Sequence, residues 1–225
     1  MPESSKRPDI VLFDLDGTLT DSALGMIEGF RLVFDHFEVE QPDEAEIRSN
    51  LGPPLAVTWR EQYGFTDEQI AEALVVYRDY YHDEGMFVNE VFPGIPELLA
   101  ELSTSGVTLA TSTSKPEYSA TRILNHFGLD EHFTFIGAAT LDGSRDAKAL
   151  VIGHTLTNLR ADAVRHSIVM VGDRSHDVHG AREHGIDTIG VLWGYGSAEE
   201  LDDAGAVALA ENVQQLREQL PVTKD

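Results

Sequence analysis

Two carboxylates, Asp14 and Asp16, follow a short apolar run, Asp9-Ile10-Val11-Leu12-Phe13, and precede Gly17 and Thr18. A second pair, Asp173 and Asp177, lies in Gly172-Asp173-Arg174-Ser175-His176-Asp177 directly after Ser167-Ile168-Val169-Met170-Val171. Between them in the chain come Thr113-Ser114-Lys115-Pro116, after Val107-Thr108-Leu109-Ala110-Thr111, and Lys148. Carboxylates brought together repel each other unless a cation neutralises them, and an oxygen-only set without His or Cys favours Mg²⁺ over zinc or copper. Mg²⁺ held by one or two carboxylates shares its sphere with a substrate phosphate. The Thr113 and Ser114 hydroxyls at a helix N-terminus, with a lysine, suit that phosphate. A carboxylate beside the metal can attack phosphorus to give an aspartyl-phosphate. A second acid two residues on can protonate the leaving oxygen and then activate water.

For these groups to meet, the elements before them must end at one edge. The apolar runs lack alternation and read as strands buried on both faces, as in a parallel sheet covered by helices. After Phe92-Pro93-Gly94 the pattern alternates: a helix on Ile95, Leu98, Leu99 and Leu102, the strand 107–111, and a helix with Pro116 in its first turn running to Gly128. A strand at 133–136, a helix at 147–159, the strand 167–171, a short helix at 176–184 and a strand at 188–192 follow, and Val213, Leu216 and Leu220 mark a last helix. This alternation predicts an α/β fold with a doubly wound parallel sheet, whose ligands bind beyond the carboxyl ends of the strands. Between about 22 and 88 only helical patterns occur: Met26, Ile27, Phe30, Val33, Phe34 and Phe37, then 44–49, 55–63 and 67–81, broken by Gly52-Pro53-Pro54 and Gly64.

Composition narrows the function. The 225 residues carry 16 Lys and Arg against 39 Asp and Glu, a net charge of −23, which argues against nucleic acid and anionic lipid as partners. With no cysteine there is no disulfide framework, thiolate metal site or thiol nucleophile. The stretch Met1 to Asp9 is polar, with no signal-peptide core, and no apolar run approaches the ~20 residues of a membrane span. A soluble, cytoplasmic protein is expected. Of only four lysines, Lys6 and Lys224 fall near the termini, which singles out Lys115 and Lys148.

Asp14-Leu15-Asp16-Gly17-Thr18-Leu19-Thr20 resembles the first motif of the haloacid dehalogenase-like superfamily. Thr113-Ser114-Lys115-Pro116 resembles its second, Lys148 its third and Gly172 to Asp177 its fourth, in order and over nearly the whole chain. The resemblance implies a Rossmann-like core domain from residues 1–20 and 90–225, with an inserted α-helical cap of the C1 type at 21–89. It implies Asp14 as nucleophile and Mg²⁺ ligand, Asp16 as general acid and base with its backbone carbonyl on the metal, and Asp173 completing the metal site. Thr113 and Lys148 would hold the phosphoryl oxygens, with Ser114 beside them, and Asp177 would orient the metal's waters or Lys148. Ser114-Lys115-Pro116, Leu141 to Arg145 and Gly194-Tyr195-Gly196 are similar to the phosphoglycolate phosphatase and 5′-nucleotidase branch, although Ser114 replaces the asparagine of many phosphoglycolate phosphatases. The implied activity is Mg²⁺-dependent hydrolysis of a small phosphorylated metabolite by a monomer or homodimer. Arg48, Gly52, Pro53 and Lys115, with Arg60 near the same turn, are the expected substrate contacts. Transfer of the phosphoryl group to a sugar phosphate or protein acceptor is the alternative, and a non-catalytic phosphate-sensing module a third.

Blander roles compete for some of these residues. A calcium loop needs its glycine at position six, whereas Gly17 falls at four. Thr113 and Ser114 could serve as helix caps, a role compatible with phosphate binding. His176, His179 and His184 do not share one helix face and read as solvated, Gly194-Tyr195-Gly196 lacks the third glycine of a dinucleotide fingerprint, and Glu199 to Asp203 reads as a solvated turn and helix start.

Overall fold

Ile10 and Leu12 pack on one side of the first strand while Val11 and Phe13 pack on the other, which is why the run shows no alternation. The computed structural model describes residues 7–220, so Lys6 and Lys224 lie outside the described residues. The chain begins with β1 (Ile10–Phe13) and the two-residue β2 (Thr20–Asp21), then passes through α1 (Ala23–His36), α2 (Glu44–Ser49), α3 (Leu55–Glu61) and α4 (Asp67–Asp83). It returns through β3 (Glu90–Val91), α5 (Ile95–Thr104), β4 (Thr108–Pro116), α6 (Glu117–His126), β5 (Phe135–Ala139) and α7 (Lys148–Leu159). It ends with β6 (Ile168–Gly172), α8 (Ser175–Arg182), β7 (Asp187–Val191), α9 (Ala198–Ala204), β8 (Ala208–Ala210) and α10 (Val213–Gln219).

Six strands form one parallel sheet in the order β5-β4-β1-β6-β7-β8, while β2 and β3 pair antiparallel where the chain leaves and re-enters it. The fold is thus the expected doubly wound α/β arrangement. From β1 the chain builds outward on one side through β4 and β5, then on the other through β6, β7 and β8. Its switch point is β1, and the crevice beyond the ends of β1 and its neighbours is where such sheets bind ligands. Leu98 and Leu102 of α5, Ile123 of α6 and Leu216 of α10 belong to the apolar layer of one face. Ile152 and Leu156 of α7 and Ala181 of α8 cover the other. Burial of each large aliphatic side chain stabilises the sheet by ~1.5–3 kcal/mol.

Among the helices inserted after β2, α1 and α4 pack together around Phe30, Trp59, Tyr63 and Tyr77, with Phe30 ring centroids 5.6–6.2 Å from the other three. The start of α4 is fixed by a capping box, Thr66 accepting from Gln69 N while the Gln69 side chain accepts from Thr66 N. The apolar core is continuous from Phe13 through Leu19 and Ile27 to Trp59.

Three local features differ from expectation. β4 runs through Pro116 instead of stopping near Thr111, so Pro116 ends a strand (φ −57°, ψ 141°) and caps α6 from outside its first turn. Proline fixes φ but not ψ, and its φ suits either conformation. β8 was not anticipated, because Ala208-Leu209-Ala210 is short and lacks β-branched residues. The acidic stretch near Glu199 forms a complete helix, α9, capped by Ser197, with Leu201 and Ala204 buried against Val178. No helix among the described residues is long and apolar enough to cross a membrane.

Candidate active site

Asp14 directly follows β1, Thr113 lies in the last part of β4, Asp173 directly follows β6, and Lys148 opens α7. The parallel sheet therefore delivers all four to one edge. Lys148 is 7% exposed, and its ammonium has three hydrogens for three acceptors: Asp14 Oδ1 at 2.8 Å, Asp177 Oδ1 at 2.8 Å and the Ser112 carbonyl at 3.0 Å. Burial works against its charge, but the Asp14 and Asp177 carboxylates outweigh that and hold its pKa above the usual lysine range.

Carboxylate oxygens of Asp14, Asp173 and Asp177 lie within 4.8 Å of one another, all three residues buried. Burial first, then the Asp177 and Asp14 charges, pushes the Asp173 carboxyl well above its ordinary value. Burial raises Asp177 to about 6 against the opposing pull of Lys148, with Asp14 adding to the rise. One ammonium faces three carboxylates, and the resulting excess of negative charge, presented entirely by oxygen donors, fits a hard divalent cation such as Mg²⁺. Asp173 is oriented by two donors, Thr18 Oγ1 on Oδ1 at 3.2 Å and Tyr195 N on Oδ2 at 2.7 Å. Gly17 (φ +80°) and Gly194 leave the room this carboxylate needs, since a Cβ would stand 2.2 Å from Asp173 Oδ2 at the first and 2.4 Å at the second. Asp177 also accepts from Arg174 N at 3.1 Å, so it bridges the loop after β6 to Lys148.

Asp16 faces away from this cluster. Its Oδ2 is 3.0 Å from Lys115 Nζ and its Oδ1 accepts from the buried Ser22 hydroxyl. Lys115, itself 7% exposed, also donates to the Tyr81 hydroxyl at 2.6 Å and sits 4.6 Å from that ring's centroid. A core lysine is thus gripped by α4. The Thr113 hydroxyl accepts from Lys115 N at 3.1 Å, which turns the backbone at the end of β4.

A cavity of about 260 Å³ reaches from Asp16 outward between the inserted helices and the core. Ser114, Lys115, Gly52 and Pro53 line it; Arg48 and Arg60 do not. Arg48 instead binds Asp21 Oδ2 at 3.3 Å with its guanidinium 5.7 Å from the Tyr195 ring centroid, and Arg60 binds Asp67 at 2.6 Å. Each cation near the 52–54 turn already has an acidic neighbour that the sequence pattern did not expose. The turn itself is tied to the core by Arg174 Nη1, which donates to the Leu51 carbonyl while Arg174 Nε donates to Glu200 at 2.9 Å. His176 and His179 are exposed, and His184 donates Nε2 to the Ala149 carbonyl at 2.8 Å.

Ser22, Tyr81 and Tyr195 escaped the sequence reading as site residues. Tyr195 had a signal in Gly194-Tyr195-Gly196, whereas Tyr81 reaches Lys115 only through the placement of α4.

The haloacid dehalogenase-like hydrolase family model matches residues 11–191, the stretch that holds Asp14, Asp16, Thr113, Lys148, Asp173 and Asp177. The chain belongs to that family. Three relatives show the range within it. A 5′-nucleotidase of Pseudomonas aeruginosa is 40% identical over 201 residues, 89% of this chain and 90% of the relative. The tyrosine-protein kinase PtkA of Mycobacterium tuberculosis is 46% identical over 219 residues, 96% of this chain and 74% of the relative. A crystal structure of a predicted phosphatase from Clostridium acetobutylicum superimposes with a TM-score of 0.91 at 38% identity, covering 95% of this chain and 98% of that one.

Proposed function

We propose that this haloacid dehalogenase-like phosphatase hydrolyses a small phosphate monoester, of the phosphoglycolate or nucleoside monophosphate kind, through an aspartyl-phosphate on Asp14. The observation that carries the proposal is the meeting of Asp14, Lys148 and Asp173 at the switch point with Asp16 one step away at the inner end of a cavity. Asp14 and Asp173, with the Asp16 backbone carbonyl, would hold Mg²⁺. When bound, it would screen the phosphate's negative charge from the attacking carboxylate. Asp14 then attacks phosphorus, Lys148 and Thr113 hold the phosphoryl oxygens, and Asp16 gives a proton to the departing oxygen. In the second half Asp16 takes a proton from water, which hydrolyses the aspartyl-phosphate and frees phosphate. Asp177 keeps Lys148 aimed. Residues 21–89 act as a cap over residues 1–20 and 90–225, excluding bulk water and selecting the leaving group.

The name of the mycobacterial relative supports a second reading, transfer from Asp14 to a protein tyrosine instead of water. Phosphate release from p-nitrophenyl phosphate and metabolite esters, with and without Mg²⁺ and with no acceptor added, separates the two. Mg²⁺-dependent release without acceptor supports hydrolysis, and release only with an acceptor overturns it.

A further inference from the structure

Gly194-Tyr195-Gly196 follows β7 and lies against Asp173 and the turn that runs from Asp16 to Ser22. Asp173 requires both glycines: a Cβ at 194 would stand 2.4 Å from its side chain, and one at 196 would stand 2.0 Å from its carbonyl oxygen. Between them the Tyr195 hydroxyl accepts from Ser22 N at 3.1 Å and lies 3.3 Å from Ser22 Oγ and 3.4 Å from Asp21 Oδ1. Trp193 braces the same turn, its Nε1 donating to the Thr18 carbonyl at 3.1 Å.

Ser22 occupies the N-cap of α1, where a serine side chain ordinarily accepts from a backbone N–H two or three residues on, a bond worth ~1 kcal/mol. Here it makes no capping bond, and the fully buried hydroxyl donates to Asp16 Oδ1 instead. Ser22 Oγ carries one hydrogen, and Met26 Sδ at 3.4 Å and the Tyr195 oxygen compete with Asp16 for it. A phenol keeps its own proton at neutral pH. Tyr195 already accepts from Ser22 N, so its proton is left to place on Ser22 Oγ or Asp21. With the phenol donating to Ser22, the serine proton goes to the charged oxygen of Asp16. The other oxygen of that carboxylate is 3.0 Å from Lys115 Nζ, so donors on both sides fix its plane.

We infer that Tyr195 is a positioning residue for Asp16: its phenol orients the Ser22 hydroxyl, and Ser22 holds the carboxylate in the plane from which Asp16 passes a proton to the departing oxygen. This rests on the reading of Asp16 as the acid and base of a phosphatase. An acid works only within hydrogen-bond reach of the atom it protonates, so a carboxylate released at Oδ1 turns about its side-chain bonds and loses that alignment. The cost falls on esters whose leaving group needs the proton. An alkyl ester must have its oxygen protonated as the bond to phosphorus breaks, whereas p-nitrophenolate departs as the anion.

The test measures single-turnover release of the leaving group, with the Mg²⁺-loaded protein in excess, from p-nitrophenyl phosphate and from the best of glycerol phosphate, glucose 6-phosphate and phosphoglycolate. Wild type is compared with Tyr195→Phe, which removes one oxygen, with Ser22→Ala, and with both together. Each single variant should slow the alkyl ester about tenfold more than p-nitrophenyl phosphate, a part of the ~10²–10⁴ that a positioned acid supplies. The double variant should do no worse than the more affected single one, because the two groups act in one chain. Mg²⁺ affinity of Tyr195→Phe, read by calorimetry, should match wild type, since the backbone N–H that holds Asp173 remains. Equal slowing of both esters, no slowing of either, or weakened Mg²⁺ binding overturns the inference. Asp16→Asn sets the scale: equal slowing of both esters there overturns Asp16 as the acid, and silence of wild type on every ester overturns the phosphatase assignment, so the failures are distinct.

Discussion

Lys148 Nζ lies 2.8 Å from Asp14 Oδ1, at the end of the first strand of the sheet. A lysine from the helix after β5 and an acid from the end of β1 thus share one buried contact, with Asp177 equally close to the same ammonium. The pair joins segments far apart in the chain and places a cation beside the carboxylate proposed to attack the phosphate.

Removing that ammonium leaves two buried carboxylates without their partner, a loss of ~3–5 kcal/mol. Lys148→Met should therefore lower Tm by roughly 10 °C in metal-free buffer. Mg²⁺ should recover part of the loss, since added cation neutralises the same acids, while turnover stays absent. Differential scanning calorimetry with and without Mg²⁺ checks this, and a Tm equal to wild type would contradict it.

The metal-free protein should lose stability as pH rises from about 4 to 6. Asp177 titrates near 6 in the folded protein against 3.8 as its ordinary value. Between those values the folded state holds a proton that the unfolded state has released, so falling pH favours the fold and rising pH removes that advantage. The expected loss, wild type relative to Asp177→Asn, is on the order of 1–3 kcal/mol in EDTA. Mg²⁺ binds the ionised carboxylates and should offset it most above pH 6. Urea unfolding across pH 4–8 measures the difference; a pH-independent difference would contradict the account.

Arg174 ties the helical insertion to the core by donating to the Leu51 carbonyl. Arg174→Ala should speed amide exchange around residues 50–56 and raise KM more than it lowers kcat, with a stability loss of about 1–3 kcal/mol. Hydrogen exchange read by mass spectrometry, together with steady-state kinetics, tests this. Unchanged exchange in that turn would show that the contact does not hold it.

The core was legible because its strands are buried on both faces and end in the residues that matter. Ile10 to Phe13 is apolar without alternation, and the chain turns polar at Asp14, where the sheet edge begins. Lys148 stood out through the scarcity of lysine, and it does reach Asp14. β8 was hidden because alanine and leucine carry no strand preference, and the longer β4 because proline's fixed φ serves strand and helix entry alike. The partners of Arg48 and Arg60 depend on where helices settle against each other, as does the grip of Tyr81 on Lys115. Periodicity gives a helix its apolar face but not the neighbour it meets.

The central claim is that phosphate passes through the Asp14 carboxylate, and mass spectrometry of rapidly quenched turnover tests it most directly. During Mg²⁺-supported hydrolysis a peptide spanning residue 14 should carry one phosphoryl group that hydroxylamine removes. Asp14→Asn should show no such adduct and lose activity by more than about a hundredfold. A variant that still turns over at more than about 1% of wild type, in a preparation free of contaminating phosphatase, would contradict the account.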